Sequence, residues 1–228
     1  VTKDILLSLN KYENIHIDKL NEHPFFLKLL QGDLPIVTVK RFAVETILFY
    51  VNMFDFIVPI LSWQDNPERK YFLTECYMRM LKVRPETLES NLAKLNINET
   101  ELKNIMPLPA NTAIKHHMLF LSLNDPTSFL ICLKLCFYDC WRIDSVLNSL
   151  LQFKQYKEFH NIFDQIFYNF QLIGDPASNF PIEFNSYSKR NGMLALRNLI
   201  DTFVLFYDEL LQADKEADRI DFSVLYNQ

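Results

Sequence analysis

From Phe42 to Trp63 the chain is almost wholly apolar, and a run of that length suits only a buried helix or a membrane span. Glu45, Asn52 and Asp55 interrupt it. At about 100° per residue, Glu45 and Asn52 lie within about 20° of each other on a helix, with Asp55 about 80° away. An aspartate near the middle of a bilayer costs about 2.5 to 3.5 kcal/mol, so the run reads as a core helix whose polar face lines a cavity or meets water. Just before it, HPFFLKLLQGDLP gives a short helix, a stop at Gly32 and a restart at Pro35.

The rest of the chain has the same helical character. Asn66-Pro67 opens a helix through Leu81 that Pro85 should kink or restart. Met106-Pro-Leu-Pro109 leads into ANTAIKHHMLFLSLN, and Asn124-Asp125-Pro126 caps a helix expected to run to about Phe153. Further helices are expected over Thr2 to Leu20, Tyr156 to Leu172 and Tyr187 to Leu211, with GDPASNFP as the longest irregular turn. No strand alternation stands out, and no long polar linker divides residues 1–228. The reading is a single all-α domain of about seven helices.

Only three glycines occur, Gly32, Gly174 and Gly192, which excludes the glycine-rich loops that cradle phosphates. A net charge of -5 without a basic cluster argues against nucleic acid. Nothing here calls for a membrane partner, and VTKDILLSLN resembles neither a signal peptide nor a transit sequence. Cys76, Cys132, Cys136 and Cys140 do not form a secreted disulfide framework, since three share one helix; reduced thiols and a cytoplasmic location are expected.

Cys132, Cys136 and Cys140 recur every fourth residue and make a slanting thiol stripe. Small side chains packing a helix interface are the plainest reading. A nucleophile among them needs a lowered pKa from a nearby base or cation. No metal is expected: His16, His23, His116, His117 and His160 lack zinc spacing, and no ExxH motif of a di-iron bundle occurs. His116 and His117 point about 100° apart, and the His160–Asp164 pair reads as a solvated face. The acidic run DELLQADKEADRID is either a docking helix or, more plainly, another solvated face.

Four blocks resemble the TenA, or thiaminase II, proteins of the heme-oxygenase-like fold. HPFFLKLLQGDLP matches the family's opening HPF, glycine and LP at the same spacing, and MPLPANTAIKHHM resembles its PxP turn and the helix with HM. LKLCFYDCW looks like the nucleophile helix and KEFHNIFDQIF like the helix after it. The resemblance implies a heme-oxygenase-like bundle of seven to eight helices, a homodimer or homotetramer, and hydrolysis of thiamine-derived aminopyrimidines without a cofactor. The glycine-rich distal helix that covers heme in heme oxygenase has no counterpart, so no heme role is expected.

Carried over by position, Cys136 matches the nucleophile if the turn at Asn124 is one residue short; an ungapped count puts Phe137 there. The pyrimidine-binding aspartate falls on Thr46, with Glu45 one residue early and able to bend in. The family's pocket tyrosines become Phe49, Ile114, Cys140 and Phe163, and its acid on the last helix becomes Asp201. Asn52, on the face of Glu45, joins the binding set. The resemblance thus implies a Cys136 thiolate adding to the ring while Asp201 and Glu45 move protons. The alternative is a diverged member that binds a flatter, more apolar molecule or serves as an oligomeric scaffold, because losing those hydroxyls removes the bonds that orient a polar ring.

Overall fold

A computed structural model describes residues 11–12, 15–63, 65–98, 100, 104–137, 139–178 and 186–217. Among them are nine α-helices and no strand: α1 (Pro24–Gln31), α2 (Ile36–Asn52), α3 (Phe54–Trp63), α4 (Pro67–Lys94), α5 (Pro109–Asn124), α6 (Pro126–Phe137), α7 (Ile143–Gln152), α8 (Lys157–Ser178) and α9 (Ser186–Ala217). Residues 15–21 are helical as well. Of the expected opening helix, residues 2–10 and 13–14 lie outside the described set.

The punctuation read from the sequence works through local hydrogen bonds. His23 Nδ1 accepts the Phe25 N–H at 3.2 Å, which caps α1, and Pro24 supplies a first helical residue with no N–H to satisfy. Gly32 ends α1 in the left-handed region at φ 78°, and the Asp33 N–H returns to the Lys28 carbonyl at 2.9 Å. Asp125 accepts from both the N–H and the hydroxyl of Ser128, at 3.1 and 2.7 Å, and so starts α6.

Four boundaries differ from expectation. The apolar run breaks at Met53 into α2 and α3: Asn52 turns its amide onto the Leu48 carbonyl at 2.7 Å, and the Met53 N–H closes a tighter turn on Tyr50. The helix expected through Phe153 ends at Phe137, followed by a 3₁₀ turn at Asp139–Trp141, Arg142 at φ 50°, and α7. Side chains claim its carbonyls, with Trp141 donating to Cys136 and Tyr207 to Cys140. In contrast α4 continues through Pro85, where one lost N–H does not end a helix, and α8 extends through Gly174 to Ser178 into the expected turn. Two split runs account for nine helices rather than seven or eight.

In the middle of the bundle, α6 packs against α5, α8 and α9, while α2 packs against α5, α8 and α9 from another side. Their buried side chains merge into one hydrophobic core rich in phenylalanine. The stretch 36–62 is long and apolar enough to cross a membrane, yet 65% of its apolar window is buried inside the protein and Met53 breaks it.

Candidate functional site

Cys136 sits in the last turn of α6 with 0% of its surface exposed, so no water-sized gap touches its thiol. Burial, reinforced by neighbouring Cys132, pushes that thiol well above its usual pKa, the opposite of what a thiolate nucleophile requires. Cys132 and Cys140 are equally buried.

Beside this turn stands Trp141, fully buried, with its indole N–H donating to the Cys136 carbonyl at 2.8 Å. Phe49 from α2 lies 5.1 Å from the indole, centroid to centroid, and Phe42 stacks on it at 6.1 Å. Phe170 from α8 and Phe203 from α9 approach at 5.4 and 5.5 Å. Phe163 reaches the cluster through Phe42 at 4.8 Å. The arrangement is therefore an aromatic chamber built by three helices and filled by the protein's own indole.

Glu45 is also fully buried, but it serves a different set of partners. Its carboxylate pairs with Arg41, accepts the Leu108 N–H at 3.1 Å and accepts the Asn111 amide at 2.6 Å. Arg41 in turn donates to the Met106 carbonyl at 2.9 Å. Burial raises the Glu45 pKa, opposed by the Arg41 charge and the bonds from Asn111 and Leu108. Three donors and no acceptor surround it, so these contacts favour its carboxylate form and pin the 106–109 turn against α2.

Asp201 is at the surface, 43% exposed, paired with Lys19 at 2.9 Å and Arg197 at 3.5 Å. Burial nudges its pKa up, but hydrogen bonds and charge from Lys19 and Arg197 outweigh this and hold it below the usual value. The Thr46 hydroxyl is buried and donates to its own helix at Phe42, 2.7 Å away. Asn52 is half-buried at the end of α2, and Ile114 is sealed within α5. The Cys140 carbonyl accepts from the Tyr207 hydroxyl at 2.7 Å. Asp55, at the edge of the expected polar face, instead pairs with Lys115 at 3.0 Å and ties α3 to α5. The structure thus gathers Cys136, Phe49 and Phe163 around Trp141, whereas Glu45 and Asp201 are engaged with cations and donors of their own.

Sequence reasoning missed Trp141, Tyr207, Asn111 and the pair of His23 with Asp208. Because His23 Nδ1 accepts from Phe25, its Nε2 carries the proton, which it donates to Asp208 at 3.2 Å. Trp141 lies within the quoted LKLCFYDCW block; its signal was a tryptophan where a helix had been expected to continue. The other three depend on contacts across more than sixty residues and leave no local signal.

Among the described residues, no three His, Cys, Asp or Glu side chains are placed to hold a metal. The fold is similar to that of a TenA homologue from P. horikoshii OT3, with a TM-score of 0.70 and 18% identity over 91% of this chain and 98% of that one. A TenA homologue from Pyrococcus furiosus superposes with a TM-score of 0.65 and 15% identity, over 90% and 99% of the two chains. A domain of unknown function from Shewanella denitrificans OS217, described as having a heme oxygenase-like fold, matches at 0.66 and 14% over 92% of each. The fold is thus the heme-oxygenase-like helical bundle. No curated protein matches in sequence. The model of the TENA/THI-4/PQQC family matches residues 10–138, more than half of the chain, and spans α1 through α6 with the Cys136 turn. On that match, the chain belongs to the TENA/THI-4/PQQC family.

Proposed function

We propose that this protein is a catalytically diverged member of its family that binds a flat, apolar small molecule in its aromatic core instead of hydrolysing aminopyrimidines. The observation that carries the reading is the state of Cys136: sealed from water, pushed up in pKa, and beside an indole rather than a base. An attacking thiolate needs both access and a stabilised negative charge. The second support is the lining. Phe49, Ile114, Cys140 and Phe163 offer no side-chain hydroxyl to orient a polar ring, and the Thr46 hydroxyl is spent on its own backbone. Glu45 and Asp201, the carboxylates that the family resemblance casts as proton carriers, are held by Arg41 and by Lys19 with Arg197.

Self-association belongs to the same proposal. Phe120 and Leu123 on α5, and Leu194 and Leu205 on the adjoining α9, are half or more exposed, as a homodimer or homotetramer would use them. Sedimentation at micromolar concentration tests it, and a monomer is the contrary result.

The test of function uses two measurements. Aminomethyl-pyrimidine incubated with the protein should give no hydroxymethyl-pyrimidine above the rate of a Cys136→Ala variant; release that depends on Cys136 would refute the proposal. In a thermal-shift screen, apolar ring compounds should stabilise the protein more than aminopyrimidines do, a ligand at one hundred times its Kd adding about 2.7 kcal/mol.

A further inference from the structure

The indole of Trp141 occupies its chamber in the manner of a ligand. Its walls, Phe42, Phe49, Phe167, Phe170, Phe203 and Phe206, all come from α2, α8 and α9, with centroids 5.1 to 6.3 Å from the indole. None comes from the segment that carries the tryptophan. One polar atom meets the indole N–H, the Cys136 carbonyl at 2.8 Å, and it is free to accept because α6 ends one residue later. Trp141 itself is the last residue of a three-residue 3₁₀ turn. Arg142 follows it in the left-handed region at φ 50° and ψ 46°, a conformation that a side chain with a Cβ adopts only at a cost. A cage built wholly by other elements and a strained carrier are what a displaceable plug needs.

From this arrangement, and resting on the apolar-ligand reading above, we propose that Trp141 is a built-in occupant of the binding chamber. The ligand that displaces it is a flat, neutral, bicyclic heteroaromatic with one N–H donor. The chamber selects the ring by shape and by six aromatic rings, of which Phe42 stacks on it and Phe203 and Phe206 meet it edge-to-face, and the Cys136 carbonyl selects the donor. A compound of the same outline without the N–H leaves that carbonyl unpaired. The connector of residues 139–142 moves out as the ligand enters.

The chain has two tryptophans, Trp63 and Trp141, so 5-fluorotryptophan labelling gives two ¹⁹F resonances, which Trp63→Phe assigns. Indole at millimolar concentration should move the Trp141 resonance toward its position in the unfolded protein and leave that of Trp63 in place. Benzofuran, with oxygen in place of the N–H, should require on the order of ten times more. Trp141→Ala, with no plug to displace, should bind indole at least about ten times more tightly by calorimetry; if that variant does not fold, Trp141→Leu carries the comparison. A Trp141 resonance unmoved by indole that nevertheless raises the melting temperature overturns the plug and keeps the apolar-ligand reading. Indole with no effect on either overturns both, and Cys136-dependent hydrolysis overturns the function proposed above together with the plug that rests on it, whereas the unmoved resonance overturns the plug alone.

Discussion

Glu45 is a buried charge held by three donors, and the cost of removing it follows from what would be left behind. Glu45→Ala removes the shared carboxylate of Arg41 and Asn111, leaving Arg41 its bond to the Met106 carbonyl and Asn111 its bond to the main-chain carbonyl of residue 45. Loss of one partner of a fully buried pair typically costs about 3 to 5 kcal/mol; with Arg41 23% exposed and both donors keeping a second acceptor, urea unfolding of this variant should show a loss near the lower end of that range. Asp201→Asn should change stability by under about 1 kcal/mol, because exposed pairs such as Asp201 with Lys19 contribute little. An equal loss in the two variants would contradict the assignment of one as a core anchor and the other as a surface ion pair. Thiol chemistry separates the residues in a similar way. Iodoacetamide should leave Cys132, Cys136 and Cys140 unlabelled in the native protein and label all three in guanidinium, as peptide mass mapping would register.

Among the elements, the turn after α1 carries the sharpest prediction. A Cβ on Gly32 would lie 2.7 Å from two ring carbons of Phe153, and the backbone there has φ 78°. Gly32→Ala therefore combines a clash with left-handed strain, and a loss of about 1 to 3 kcal/mol by chemical denaturation is expected. This turn was readable in advance because glycine and proline act on their own neighbourhood, and the same holds for the starts of α4, α5 and α6. The two broken helices were not readable. Within residues 126–153 only the tryptophan at 141 hints at a stop at Phe137, and the Cys140 carbonyl is taken by Tyr207, 67 residues on. The candidate site was legible to the same partial degree. The sequence pointed to Cys136, Phe49 and Phe163, but sealing the thiol depends on α8 and α9 packing against α6, which no local pattern records.

For the molecule as a whole, acid sensitivity follows from its histidines. Burial lowers the pKa of His16, with Lys19 adding to it; of His23, against the opposing pull of Asp208; and of His117, against its bond to the Ala195 carbonyl. Each therefore holds fewer protons folded than unfolded, and each contributes stability that is present above about pH 6.5 and lost as pH falls through the depressed folded value. Glu45 has the opposite sign: its raised pKa favours the fold at low pH and gives that advantage up as pH rises above the ordinary carboxylate range. Melting temperature should accordingly fall between about pH 6.5 and 5. His23→Asn keeps a side chain able to cap α1 but does not titrate, so its decline should be shallower. A parallel decline in the two proteins would remove His23 from the account.

Two acidic side chains close the first turn of α5: Glu45 takes the Leu108 N–H, and Glu209 takes the Ala110 N–H at 2.9 Å. The second lies 99 residues further along the chain. On a translating ribosome, the first turn of α5 lacks this second acceptor when its own residues emerge and gains it only once residue 209 has left the exit tunnel. The cap of α5 is thus completed late, by a stretch of chain made 99 residues after it.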